Sequence, residues 1–117
     1  MLNLNCKVRA TFLVSPKTGA NVTNQVVMIQ QESPSKILYT FQSYNSIVAI
    51  YESESKTLAL GCDWDFSTTT LKYLYQFLSN ININGCNKKA IEKAIKTGFI
   101  ENNRGDLCKV IYCETLK

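Results

Sequence analysis

Asp63 and Asp65 flank Trp64, the single tryptophan, inside LGCDWDFSTTTLKYLYQFL, residues 60–78. In extended backbone, residues two apart project to the same side. The two carboxylates can then stand together and bind a divalent cation, as a metal-dependent nuclease or phosphatase requires. Such a site also needs a third acid and a basic phosphate-binding group, and the sequence names neither. The competing expectation is structural. Asp65 or Ser67 caps a helix that starts after the corner, where a negative charge favours the helix N-terminus by about 0.3–1 kcal/mol. Thr68, Thr69 and Thr70 offer further hydroxyls to the free N–H groups of the first turn. Trp64 and Phe66 would anchor the corner in the core. Capping is the stronger reading, and a hydrolase built on Asp63 and Asp65 the weaker.

The chain contains no histidine, which removes the usual Ser/His and Cys/His nucleophile machinery. Its cysteines are Cys6, Cys62, Cys86, Cys108 and Cys113. An odd number without any Cys-x-x-Cys suits reduced, mostly buried thiols in a cytosol better than a disulfide framework. The spacings match no familiar zinc pattern. SPKTG, residues 15–19, lacks the length and the following helix of a phosphate-binding loop. We therefore expect a protein that is not an enzyme and carries no metal or cofactor.

Two groups of side chains could recognise a partner. Lys89, Lys93 and Lys96 fall on one side of a helical segment and could touch phosphates. Tyr39, Phe41, Tyr44 and Tyr51 could form a stacking platform for bases. Each has an ordinary alternative: a solvated helix face and core aromatics. Glu52 and Glu54 read as a solvated hairpin tip, and the Arg104–Asp106 tripeptide RGD as a turn.

The elements that must position these residues follow from periodicity. Leu2, Leu4, Cys6, Val8, Ala10, Phe12 and Val14 alternate with polar residues, which predicts a long half-buried strand. Pro16 and Gly19 mark a turn, and QVVMIQQ (25–31) is the hairpin partner. ILYTFQS (37–43) is a third strand. Residues 46–51 and 57–62 form a second hairpin around a polar tip. Leu71, Leu74, Leu78 and Ile81 predict a helix over 71–81, widened by Tyr73, Tyr75 and Phe77 into a deeply packed face. Gly85 stops it and Asn87 caps the next. KKAIEKAIKTG (88–98) is a second helix with Ala90, Ile91, Ala94 and Ile95 inward. ENNRGD (101–106) is a polar turn and LCKVIYC (107–113) a last short strand. Strands and helices are segregated, which predicts an α+β domain: a mostly antiparallel sheet of about five to six strands with two helices packed on one face. No βαβ alternation calls for a parallel sheet.

Composition agrees with one globular domain over residues 1–117: 45% of residues are hydrophobic and 19% charged. The net charge of +4 is mild for a protein that coats DNA. No secretory signal or membrane-length apolar run is expected.

Residues 43–100 resemble a group of small proteins from bacteriophages and prophages of low-GC bacteria. The resemblance is carried by SYNSIVAIY, by LALGCDWDFSTTTLKYLYQFL and by KKAIEKAIKTGFI. It implies a phage origin and the cytoplasm of an infected bacterial host, and it supplies no catalytic residues. The function expected on that footing is a non-catalytic accessory protein that binds and inhibits or modulates host machinery, in the manner of an anti-CRISPR or other anti-defence inhibitor. Its partner would be a host protein or ribonucleoprotein. Lys89, Lys93 and Lys96 would supply electrostatic steering. Asp63 and Trp64 are the other candidate contacts, Trp64 as an anchor if its indole is exposed. A nucleic-acid-binding module using the same lysines is the alternative. Unpaired sheet edges offer a homodimer.

Overall fold

The computed structural model describes residues 7–15 and 17–113. The expected strand positions Leu2, Leu4 and Cys6 and the expected turn residue Pro16 lie outside the described residues. The elements run β1 (Lys7–Val14), β2 (Asn21–Gln31), β3 (Ile37–Ser43), β4 (Ser46–Glu52), β5 (Thr57–Gly61), α1 (Thr68–Asn80), α2 (Lys88–Thr97), β6 (Phe99–Glu101) and β7 (Leu107–Cys113). The strands form one sheet in the order β1-β2-β3-β4-β5-β7-β6.

The fold is α+β and its sheet mostly antiparallel, with one correction. Seven strands are present among the described residues, not five to six. The extra one is β6, where the chain leaving α2 through left-handed Gly98 pairs antiparallel with β7 before turning. The sheet is otherwise antiparallel, but β7 lies parallel to β5. Both helices fall between these two strands in sequence, and they supply the long crossover that a parallel pair needs.

Cross-strand register sets the core. Val27, Phe41, Ala49 and Leu60 are successive partners across β2 to β5. Ile29, Tyr39, Tyr51, Leu58 and Val110 form the next row. Both rows face the helices, and Tyr73, Leu74, Phe77, Leu78, Ile91 and Ala94 close over them in one core. Phe41 and Phe77 stack with centroids 5.6 Å apart. Each aromatic or large aliphatic side chain so buried is worth about 1.5–3 kcal/mol. Gln76 adds a polar clamp: its amide accepts from the Val14 N–H at 3.0 Å and donates to the Val14 carbonyl at 2.9 Å.

The opposite face begins with the row Ala10, Met28, Thr40, Ile50, Ala59 and Ile111. No described element covers it, and Phe12, Met28 and Ile111 are exposed there. Among the described residues no helix is long and apolar enough to cross a membrane.

Candidate functional site

The Asp63–Asp65 segment is not extended. After β5 the chain makes two successive turns, with the Trp64 N–H on the Gly61 carbonyl and the Phe66 N–H on the Asp63 carbonyl. The same-side rule for extended residues therefore does not apply. Asp63 is half-buried and accepts from the Ser46 hydroxyl, while Asp65 is exposed. Among the described residues, no three His, Cys, Asp or Glu side chains cluster so as to hold a metal ion.

Ser67 is the helix cap. Its backbone is extended (φ −152°, ψ 167°) and its hydroxyl accepts the Thr70 N–H at 3.1 Å. Asp65 therefore does not cap, a correction that follows from the helix starting at Thr68, three residues before the apolar pattern begins. Asn87 caps α2 through the Ala90 N–H at 2.8 Å.

The corner's two aromatics part company. Trp64 is only 5% exposed and belongs to the core, so the condition for its acting as a surface anchor is not met. Phe66, expected in the core beside it, is 79% exposed. The turns place neighbours two apart on different sides, which periodicity cannot foresee.

Exposed Phe66 stands at a cleft of about 160 Å³ lined by Ser43, Tyr44, Ser46, Val48, Asp63, Phe66, Ser67 and Thr70. One wall is the corner and the start of α1; the other is the β3–β4 hairpin. Three features shape the hairpin side. Ser43 and Ser46 are register partners, so the loop is two residues, Tyr44 and Asn45. Tyr44 carries φ 53°, the conformation that glycine normally supplies in so short a loop. It is held there by its own N–H on the Asn24 carbonyl at 2.7 Å and by the Gln42 amide on its carbonyl at 2.9 Å. Its side chain is 61% exposed. Finally, the pairing slips between Phe41 and Gln42, and the extra residue, Val48, is turned inward to the cleft.

The floor is polar and incompletely paired. Ser43 is 5% exposed and its Oγ has no hydrogen-bond partner among the described residues. Opposite it on β2, behind the cleft lining, is Gln25, 1% exposed, with both amide atoms unpartnered among the described residues. An unpaired buried polar group costs about 1–3 kcal/mol, and of these three atoms Ser43 Oγ is the one in the cleft lining.

The base-stacking platform does not form. Phe41 and Tyr51 are buried beneath the helices, and Tyr39 packs on Tyr51 at 6.2 Å; only Tyr44 of the four is exposed. Lys89, Lys93 and Lys96 are all exposed on α2 together with Lys88, apart from the residues that line the cleft. The RGD tripeptide sits in the β6–β7 turn, where the Asn102 carboxamide accepts from the Arg104 and Asp106 N–H groups. Glu52 and Glu54 sit at the β4–β5 tip on separate partners, the Ser55 N–H and the Ser35 hydroxyl.

Sequence reasoning missed Ser43 and Ser46 as site residues. The available signal was SYNS between two strands: a two-residue hairpin loop with tyrosine where glycine is expected.

A family described as a family of unknown function (DUF8033) matches residues 13–98, well over half of the 117. The match spans every residue that lines the cleft and ends before β6. No curated protein and no solved structure matches the chain.

Proposed function

The chain belongs to this family of unknown function (DUF8033), and we propose that it is a non-catalytic binding protein that docks a host protein or ribonucleoprotein through the cleft between the β3–β4 hairpin and the corner before α1. Docking there inhibits or modulates the partner, in keeping with the resemblance to phage accessory proteins and the anti-defence role which that resemblance implies. The setting is the cytoplasm of an infected bacterial host.

The observation that carries this reading is the pairing of Tyr44 and Phe66. Two largely exposed aromatics line one small cleft that also holds the buried Ser43 hydroxyl, unpartnered among the described residues. Aromatic anchors surrounding a pocket are what interface hot spots are made of. The cleft brings one carboxylate together with hydroxyls and rings, a set suited to recognition. Its one hydroxyl–carboxylate contact, Ser46 with Asp63, has no imidazole beside it, since the chain contains no histidine.

A second reading, nucleic-acid binding by α2, is favoured by four exposed lysines with Glu92 as the one acid among them. Its mark is affinity that falls steeply with salt. Affinity capture from a host lysate, with and without RNase and DNase, separates the two. The cleft reading expects a protein that survives nuclease treatment and is lost from Phe66→Ser. Capture abolished by nuclease and indifferent to Phe66→Ser would overturn it.

A further inference from the structure

Resting on the cleft as the docking site, we infer that its occupant is a basic side chain, lysine or arginine, of the partner polypeptide. Asp63 makes the choice. Its carboxylate offers about four lone-pair positions. The Ser46 hydroxyl takes one on Oδ2 at 2.9 Å, and among the described residues the only other donor is the weak Cys62 thiol, 3.8 Å from Oδ1. The ion pairs among the described residues, Lys36–Glu32 and Lys56–Asp106, do not include it. A half-buried carboxylate with spare acceptor capacity is complementary to an ammonium or guanidinium.

The rest of the lining fits the same guest. Ser43 Oγ, buried and unpartnered, can accept an N–H from the incoming group. Tyr44 and Phe66 offer exposed apolar surface for a methylene stem, since long basic side chains bury their stems along apolar surface. The Tyr44 and Phe66 rings offer faces to a cation. The cleft, about 160 Å³, is smaller than the roughly 300–1,000 Å³ of pockets for drug-sized ligands. It suits one side chain.

The start of α1 beside the cleft would by itself favour an anion. The helix end is equivalent to only about +0.5 elementary charge, and the Ser67 hydroxyl already engages its Thr70 N–H. The full charge of the Asp63 carboxylate in the cleft wall outweighs it.

The test is an NMR titration of the full chain with Nα-acetyl-lysine methylamide, Nα-acetyl-arginine methylamide and the uncharged Nα-acetyl-norleucine methylamide. The cationic probes should shift the amides of Ser43, Tyr44, Asp63 and Ser67 and bind about tenfold or more tightly than norleucine. Asp63→Asn keeps an acceptor for Ser46 and should erase that preference. Ser43→Ala removes an unsatisfied hydroxyl, so the protein stays folded while the cationic probes weaken. Equal binding of the norleucine probe, or no shift at the cleft with any probe, overturns the basic-guest inference. In that event a partner still lost from Phe66→Ser but retained by Asp63→Asn leaves the cleft as a docking site, while a partner indifferent to both removes the docking reading as well.

Discussion

The Ser46 hydroxyl donates to Asp63 Oδ2 at 2.9 Å, tying the first residue of β4 to the corner that follows β5. This bond holds the two walls of the cleft at a fixed separation. A hydrogen bond to a charged group is worth about 1.5–3 kcal/mol when buried, and less at a half-exposed site. Ser46→Ala should lower stability by about 1 kcal/mol. Asp63→Asn, which keeps an acceptor, should cost less. Urea unfolding of the two variants checks the order, and equal losses would mean that the bond does not hold the walls.

Tyr44 tests whether strain is kept at this site for a purpose. A bulky residue at φ 53° sits where glycine is at ease. Such positions cost about 1–3 kcal/mol and are found at functional sites. Tyr44→Gly should therefore leave stability unchanged or raise it by up to about 1 kcal/mol, while weakening partner capture. A clear drop in melting temperature would show that the ring supports the fold.

The cap assignment separates two neighbouring residues that the sequence leaves as alternatives. Ser67→Ala should cost about 1 kcal/mol, within the usual range of 0.5–2 for a lost cap. Asp65→Asn should move stability by no more than about 0.5 kcal/mol, as expected of an exposed residue. Thermal melts of both variants decide it, and a larger loss from Asp65→Asn would restore the carboxylate as the cap.

Tyr51 predicts an alkaline limit. Burial first, then the neighbouring Cys108 thiol, push its hydroxyl from 10.0 up to about 12. The folded state then holds a proton that the unfolded chain releases. The associated stability is fully present below pH 10 and is lost as pH rises through about 12. Burial raises the Tyr75 hydroxyl as well, so absorbance at ~295 nm, where tyrosinate is read, should show a late-titrating phase that shrinks in Tyr51→Phe. Stability of the wild type should fall more steeply across that window than that of the variant.

Much of the fold was legible in the chain. ILYTFQS and LCKVIYC became β3 and β7 residue for residue, because each is bounded by turn residues and rich in strand formers. Phe99–Glu101 escaped because three residues carry too little period to read. The parallel partnership of β5 and β7 escaped because periodicity says which face a strand buries, not which distant strand lies beside it. The same limit explains the site. Asp63 and Ser46 are 17 residues apart and meet only through the β4–β5 pairing. Opposite fates for Trp64 and Phe66 depend on two turns whose backbone angles composition does not set.

In the proposed function, Tyr44 and Phe66 grip a polypeptide partner. The most direct measurement is the Kd of the captured, nuclease-treated partner for the wild type, for the Tyr44→Ser/Phe66→Ser double variant and for the Lys89→Ser/Lys93→Ser/Lys96→Ser triple variant. Loss of hot-spot anchors should weaken binding by about 30-fold or more, while the lysine variant changes mainly the on-rate and its salt dependence. A double variant that binds like the wild type, beside a triple variant that no longer binds, would contradict the claim.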